Sequence, residues 1–262
     1  MAISGQEART DRDRDRALRD VRAPGRLRSG PAARHRRPSG EPPPLPRQLH
    51  RSGRYWTALG AGVVLFWLAT ELTGGAITSP FERLDRAVLE TVAELRTAAL
   101  TRIMRGLHAL GSEWTLRVLA WSSLLVPLLF KRFRHALVFL GSYMLVKGIG
   151  ATLATVMARP RPLGIPILGS WEGFAHPSQP VADLSVALLG ITYALVPQGR
   201  WRQTAKWVSG GLIVGLGAAR VYLGVDHPTD VITSIVVGVS VPLLAFRLLT
   251  PNDVFPVTYR RG

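Results

Sequence analysis

The chain has 262 residues, 47% of them hydrophobic, with 33 Lys and Arg against 17 Asp and Glu and no cysteine. The missing cysteine excludes a disulfide framework, a cysteine-ligated zinc or iron–sulfur centre and a thiol nucleophile. The net charge of +16 points to an anionic partner, either nucleic acid, an anionic membrane surface or a phosphate-bearing substrate.

Residues 1–54 carry 14 Arg and no Lys against six acids, so about half of the excess charge sits there. The segment is rich in Pro and Gly, with Pro42, Pro43, Pro44 and Pro46 near its end. It has too few aromatic and β-branched residues to offset chain entropy by burial, and reads as a disordered cytoplasmic arm. No apolar run follows its first charges, so it is not a signal peptide. No nucleic-acid recognition fold accompanies it, which argues against a specific nucleic-acid partner.

Beyond Arg54 the chain becomes apolar. Residues 55–72 are long enough to cross a hydrocarbon layer of about 30 Å. Further apolar runs cover 114–130, 136–157, 181–196, 208–223 and 231–249, giving six expected spans. Between the first two lies an amphipathic stretch, 81–110, with Leu84, Val88, Val92, Leu95, Ala99 and Ile103 at helical spacing. It reads as one helix along the outer membrane surface. Six spans put the basic arm, Lys131–Arg134, Arg200, Arg202 and Lys206, and the tail 250–262 with Arg260 and Arg261 on one side, the cytoplasmic one by positive-inside logic. The expected architecture is thus all-α: a cytoplasmic arm at 1–54, a six-helix membrane domain at 55–249 with an extra surface helix, and a short basic tail. The localisation that follows is a multi-pass protein of the plasma (inner) membrane with both termini inside.

Lys147 falls in mid-helix, where it pairs with an acid or snorkels. Gly211 and Gly215 make a G-x-x-x-G step that permits close helix contact. Trp171 and Phe174 suit an interfacial belt.

Three segments at the outer helix ends carry candidate chemistry. Ala158-Arg159-Pro160-Arg161-Pro162 projects two guanidiniums, whose planar donor forks match phosphate oxygens. His176-Pro177-Ser178-Gln179-Pro180 enters the fourth span, where Ser178 can cap the helix and free N–H groups can meet an anion. The third runs from Arg220 to Asp230 and contains Asp226 and His227. Asp226 can cap the last span, and Asp226, His227 and Asp230 can share one helix face. Ionisable groups at a membrane boundary are costly and tend to be functional.

These segments resemble the signature of the type 2 phosphatidic acid phosphatases, the PAP2/haloperoxidase superfamily: K-x6-R-P, then P-S-G-H, then S-R-x5-H-x3-D on a six-helix membrane bundle. Arg161-Pro162, Pro177-Ser178, Arg220 and Asp230 match, in order and spacing, over roughly residues 55–249. The pattern is broken at five places: its Lys falls on Ala154, its second-motif Gly on Gln179 and His on Pro180, its third-motif Ser on Ala219 and its nucleophilic His on Asp226. The resemblance implies metal-independent hydrolysis of a lipid phosphate, with no cofactor, through a phosphohistidine. It also implies that Arg161, Arg220, Arg159 and Ser178 neutralise the phosphate. For the reactive pair two schemes stay open. In one, His227 attacks after a small rewinding of the turn. In the other, Asp226 attacks to give an acyl phosphate with His227 as acid–base partner. His176 is the candidate replacement for the missing general acid, and Asp230 the residue that orients an imidazole. A protein that binds lipid phosphate without turnover, or serves as a membrane scaffold, is the competing expectation.

Overall fold

Each apolar run of the sequence becomes a helix. The computed structural model describes residues 47–72, 79–130, 133–196 and 199–249. These form α1 (Arg47–Leu72), α2 (Ser79–Glu94), α3 (Ala98–His108), a 3-10 turn (Ala109–Gly111), α4 (Glu113–Leu129), α5 (Phe133–Met157), α6 (Gln179–Ala194), α7 (Arg200–Tyr222) and α8 (Pro228–Leu249), with no strand among them. The Arg-rich arm up to residue 46, Lys131, Arg132 and the tail 250–262 lie outside the described residues. Residues 47–54, expected in the arm, already belong to α1.

A helix that is apolar on every side belongs at the centre of a bundle. α6 takes that place: Val181 to Ala187 are buried without interruption, and α4, α5, α7 and α8 surround it. On one side Val181 and Leu184 meet Leu116, Ile213, Leu216 and Val231. On the other, Ala182 and Val186 meet Phe139, Val146, Val237 and Val241. α8 lies close enough to α6 that a Cβ on Gly238 would stand 2.8 Å from the Ala182 carbonyl oxygen. The expected close contact at Gly211 is not made, since that residue faces open space between the outward-turned Trp207 and Val214. Gly215 meets only Leu107, at an ordinary 3.6 Å.

The amphipathic stretch is two helices rather than one. Thr97 adopts an extended backbone and its Oγ1 accepts from the Leu100 N–H at 3.2 Å, capping α3. Arg96 turns inward at the break and donates to the carbonyls of Tyr222 (3.0 Å) and Pro166 (2.8 Å). The buried stripe of α2 is also rotated from the expected one. Leu84 is exposed, as is Leu95 just beyond the helix, whereas Asp85 and Leu89 are enclosed.

Among the described residues α5 alone is both long and apolar enough to cross a membrane by itself. Large apolar side chains nonetheless face outward on several helices, among them Trp121, Leu129, Leu137 and Trp207. The C-terminal ends of α5 and α7 and the N-terminal ends of α6 and α8 meet through the 158–178 loop and the link 223–227. The candidate chemistry lies there.

Candidate active site

The site begins where α5 ends. Ala158 has a positive φ of 40°, and the chain leaves the helix through Arg159-Pro160-Arg161. The two guanidiniums reach different partners. Arg159 donates to Asp85 Oδ2 (2.8 Å), Asp230 Oδ1 (2.6 Å) and Thr229 Oγ1 (2.9 Å), and lies 5.7 Å from the Trp67 ring centre. Arg161 donates to Asp226 Oδ1, to the Glu172 carbonyl (2.7 Å), to Val225 O (3.1 Å) and to Gly173 O (3.2 Å).

Arg220 closes the second half of a clamp. Its Nε donates to Asp226 Oδ2 and its Nη2 to Asp226 Oδ1 at 3.2 Å. The chain curls to allow this: Val225 N–H donates to the Arg220 carbonyl at 2.9 Å, folding Asp226 back over Arg220. Gly224 makes the curl with φ +72°, and a Cβ there would stand 3.1 Å from both Pro166 O and Arg96 Nη2. Asp226 is fully enclosed, held by both arginines. It therefore does not cap α8.

The remaining ionisable groups form a second cluster around Asp230. Its Oδ1 accepts from Arg159 and from His176 Nδ1 at 2.9 Å; its Oδ2 accepts from the His227 N–H (3.1 Å) and from His227 Nδ1 (2.9 Å). A carboxylate can only accept, so both imidazoles carry their proton on Nδ1. Of the three residues expected on one face, His227 and Asp230 meet, whereas Asp226 is turned away to Arg161 and Arg220. His176 is fully enclosed, 4.1 Å from Trp67 centre to centre, and its Nε2 has no hydrogen-bond partner. Ser178 is buried at the start of α6, but its hydroxyl makes neither a cap nor any other hydrogen bond.

Two cavities border these clusters. The larger, about 720 Å³, is walled by Arg161, Arg220, Lys147, Asp183 and His108, with Trp171 and Phe174 also lining it. The smaller, about 230 Å³, lies between α2 and the Pro-rich loop and exposes Arg159, Arg161 and His227. Arg161 borders both. Lys147, in mid-helix, finds its acid in Asp183 at 2.6 Å, and Gln179 Nε2 donates to the same carboxylate at 2.7 Å.

Electrostatics separate the arginines further. Burial alone would lower the pKa of Arg159, but the carboxylates of Asp230 and Asp85 outweigh it and raise the value. Burial lowers that of Arg161; the Arg220 charge adds to this and Asp226 opposes it without prevailing. Both remain cations, since a guanidinium does not deprotonate in proteins.

Sequence reasoning missed Asp85 and His108. Asp85 accepts from Thr229 N–H (3.0 Å), from the Thr229 hydroxyl (2.5 Å) and from Arg159, so it ties α2 to the start of α8. No local pattern marks it, because Asp85 is turned inward by Arg159 and Thr229, far away in the chain. His108 Nε2 contacts the Ser170 carbonyl at 3.2 Å and its Nδ1 is buried without a partner. Burial, helped by the Arg220 charge, lowers its pKa below 6.5.

Fold and site together define an all-helical bundle in which two arginines converge on one carboxylate at the helix ends. Residues 135–253, from α5 to beyond α8, match the PAP2 superfamily family model. The fold is similar to that of a transmembrane PAP2 type phosphatidylglycerolphosphate phosphatase from Bacillus subtilis, at 21% identity and a TM-score of 0.56 over 73% of this chain and 94% of that one. It is also similar to LpxE from Aquifex aeolicus, at 19% identity and a TM-score of 0.51 over 62% of this chain and 93% of that one. No curated protein matches the chain in sequence. The likeness to the PAP2 superfamily is thus shown in sequence over α5 to α8 and in fold over most of the chain.

Proposed function

We propose that the protein is a PAP2-type membrane phosphatase that hydrolyses a lipid phosphate of the phosphatidic acid or polyprenyl phosphate kind. In this reading α1, α4, α5, α6, α7 and α8 span the plasma membrane. Both termini are cytoplasmic, and the site opens to the extracytoplasmic side. The observation that carries it is the meeting of Arg161 and Arg220, from separate elements, on one carboxylate beside the larger cavity. Two guanidinium forks aimed at one point supply the donors that a phosphate needs, and they are pre-organised. The aromatic rim of Trp171 and Phe174 suits a lipid headgroup entering from the interface.

Of the candidate nucleophiles, Asp226 is the one in contact with the clamp. With the phosphate oxygens on Arg161 and Arg220, a carboxylate oxygen of Asp226 attacks phosphorus, and the bond to the lipid oxygen breaks. The departing alkoxide takes a proton from water. The hydroxide so formed hydrolyses the acyl phosphate, releasing inorganic phosphate and restoring the carboxylate. Asp230 anchors His176 and His227 through Nδ1, and in the His227 scheme the other ring nitrogen of His227, Nε2, attacks phosphorus. One observation favours the rival reading of a binder without turnover: His176, the candidate acid, is fully enclosed.

Phosphate release by the purified protein in mixed micelles with phosphatidic acid or polyprenyl phosphate tests the proposal. Wild type releases phosphate, Arg161→Gln and Arg220→Gln lose it by about 100-fold or more, and Asp226→Asn abolishes it. Wild-type protein that binds phosphatidic acid vesicles but releases nothing establishes the binder. Release that survives both arginine substitutions contradicts the site.

A further inference from the structure

The cations around the larger cavity and its rim differ in how they are balanced. Arg159 faces two carboxylates, Asp85 and Asp230. Lys147 faces Asp183, which also accepts from Gln179. At the clamp the ratio is reversed, because two guanidiniums share the single carboxylate of Asp226. The clamp therefore keeps a surplus of one positive charge while being closed by an anion of the chain itself. Both guanidiniums line the larger cavity, whereas Asp226 is fully enclosed behind them. An incoming anion thus meets the arginines first and competes with Asp226 for the same N–H donors.

From this arrangement we propose that Asp226 is the resident anion of the clamp and sets its charge threshold: a phosphate dianion displaces it, and a phosphodiester monoanion does not. This rests on the reading that Arg161 and Arg220 hold the phosphate. A monoanion that replaces a carboxylate gains no charge interaction and must still expel an enclosed group from two guanidiniums. A dianion gains the interaction with the surplus charge. The displaced carboxylate stays beside the phosphorus, so displacement also delivers the nucleophile of the scheme above. The specificity is for a terminal, doubly charged phosphate, and Asp226 determines it.

Calorimetric titration of the full-length protein in detergent at about pH 8, where phosphate is mostly dianionic, tests the threshold with inorganic phosphate and dimethyl phosphate as probes. In wild type, phosphate binds at least about tenfold more tightly than dimethyl phosphate. In Asp226→Asn, phosphate binds about tenfold or more tightly than in wild type, dimethyl phosphate binding appears, and phosphate release is lost. Phosphate affinity unchanged or weakened in Asp226→Asn overturns the resident anion while leaving the phosphatase reading standing. Phosphate binding that persists in Arg161→Gln and Arg220→Gln overturns the clamp itself. Should Asp226→Asn fail to fold, infrared spectra of wild type labelled with 13C-carboxyl aspartate give the answer. A carboxylate band that shifts on adding phosphate supports displacement, and an unmoved band overturns it.

Discussion

Asp85 takes three hydrogen bonds while enclosed on every side, from Arg159 and from both the N–H and the hydroxyl of Thr229. Asp85→Asn keeps the shape but removes the charge and turns one acceptor into a donor. The expected loss is about 1–3 kcal/mol, read from chemical unfolding in detergent, because buried donors are left without an acceptor. No loss would mean that this carboxylate does not hold α2 to α8. His108 yields a pH dependence. Its pKa is lowered by burial and by Arg220, so the unfolded chain takes up the proton first as pH falls through 6.5. Stability is therefore full above that value and declines below it until the folded protein protonates as well. The unfolding midpoint of wild type should fall more steeply below about pH 6.5 than that of His108→Gln; parallel profiles would contradict this.

Two short connections set the geometry of the site at the scale of elements. The link 223–227 reverses the chain between α7 and α8, and it does so through Gly224 at φ +72° against Pro166 and Arg96. Gly224→Ala should cost about 1–2 kcal/mol by thermal unfolding, from left-handed strain and crowding, and should weaken phosphate binding because Asp226 and Arg220 lose their register. Unchanged stability and binding would show that the curl is not needed. The helices themselves were legible from hydrophobic runs, since a span of apolar residues has few alternatives. The break at Thr97 was not, because its cause is tertiary: Arg96 is drawn to carbonyls of Tyr222 and Pro166, far away in the chain. The rotated stripe of α2 has the same origin, as Asp85 is turned inward by Arg159 and Thr229 rather than by its own apolar neighbours. In the same way, Arg161 and Arg220 were readable as phosphate-type residues, but that Asp226 lies between them was not. A motif position gives residue type and not the direction of a side chain.

The whole molecule is proposed to sit in a bilayer with the clamp outside, and its composition offers a clean test. The natural chain has no cysteine, so a single introduced one reports its own position. Leu163→Cys, exposed in the site-side loop, should react with a membrane-impermeant maleimide on intact cells. Trp201→Cys, exposed at the start of α7, should react only after permeabilisation. Equal labelling of both on intact cells would contradict the six-span arrangement. The central claim is that Arg161 and Arg220 are the two halves of one phosphate clamp. A crystal structure with orthovanadate bound tests it most directly. The account predicts vanadate oxygens on both guanidiniums, with Asp226 turned off them. Vanadate bound elsewhere, with Asp226 still bridging the two arginines, would contradict it.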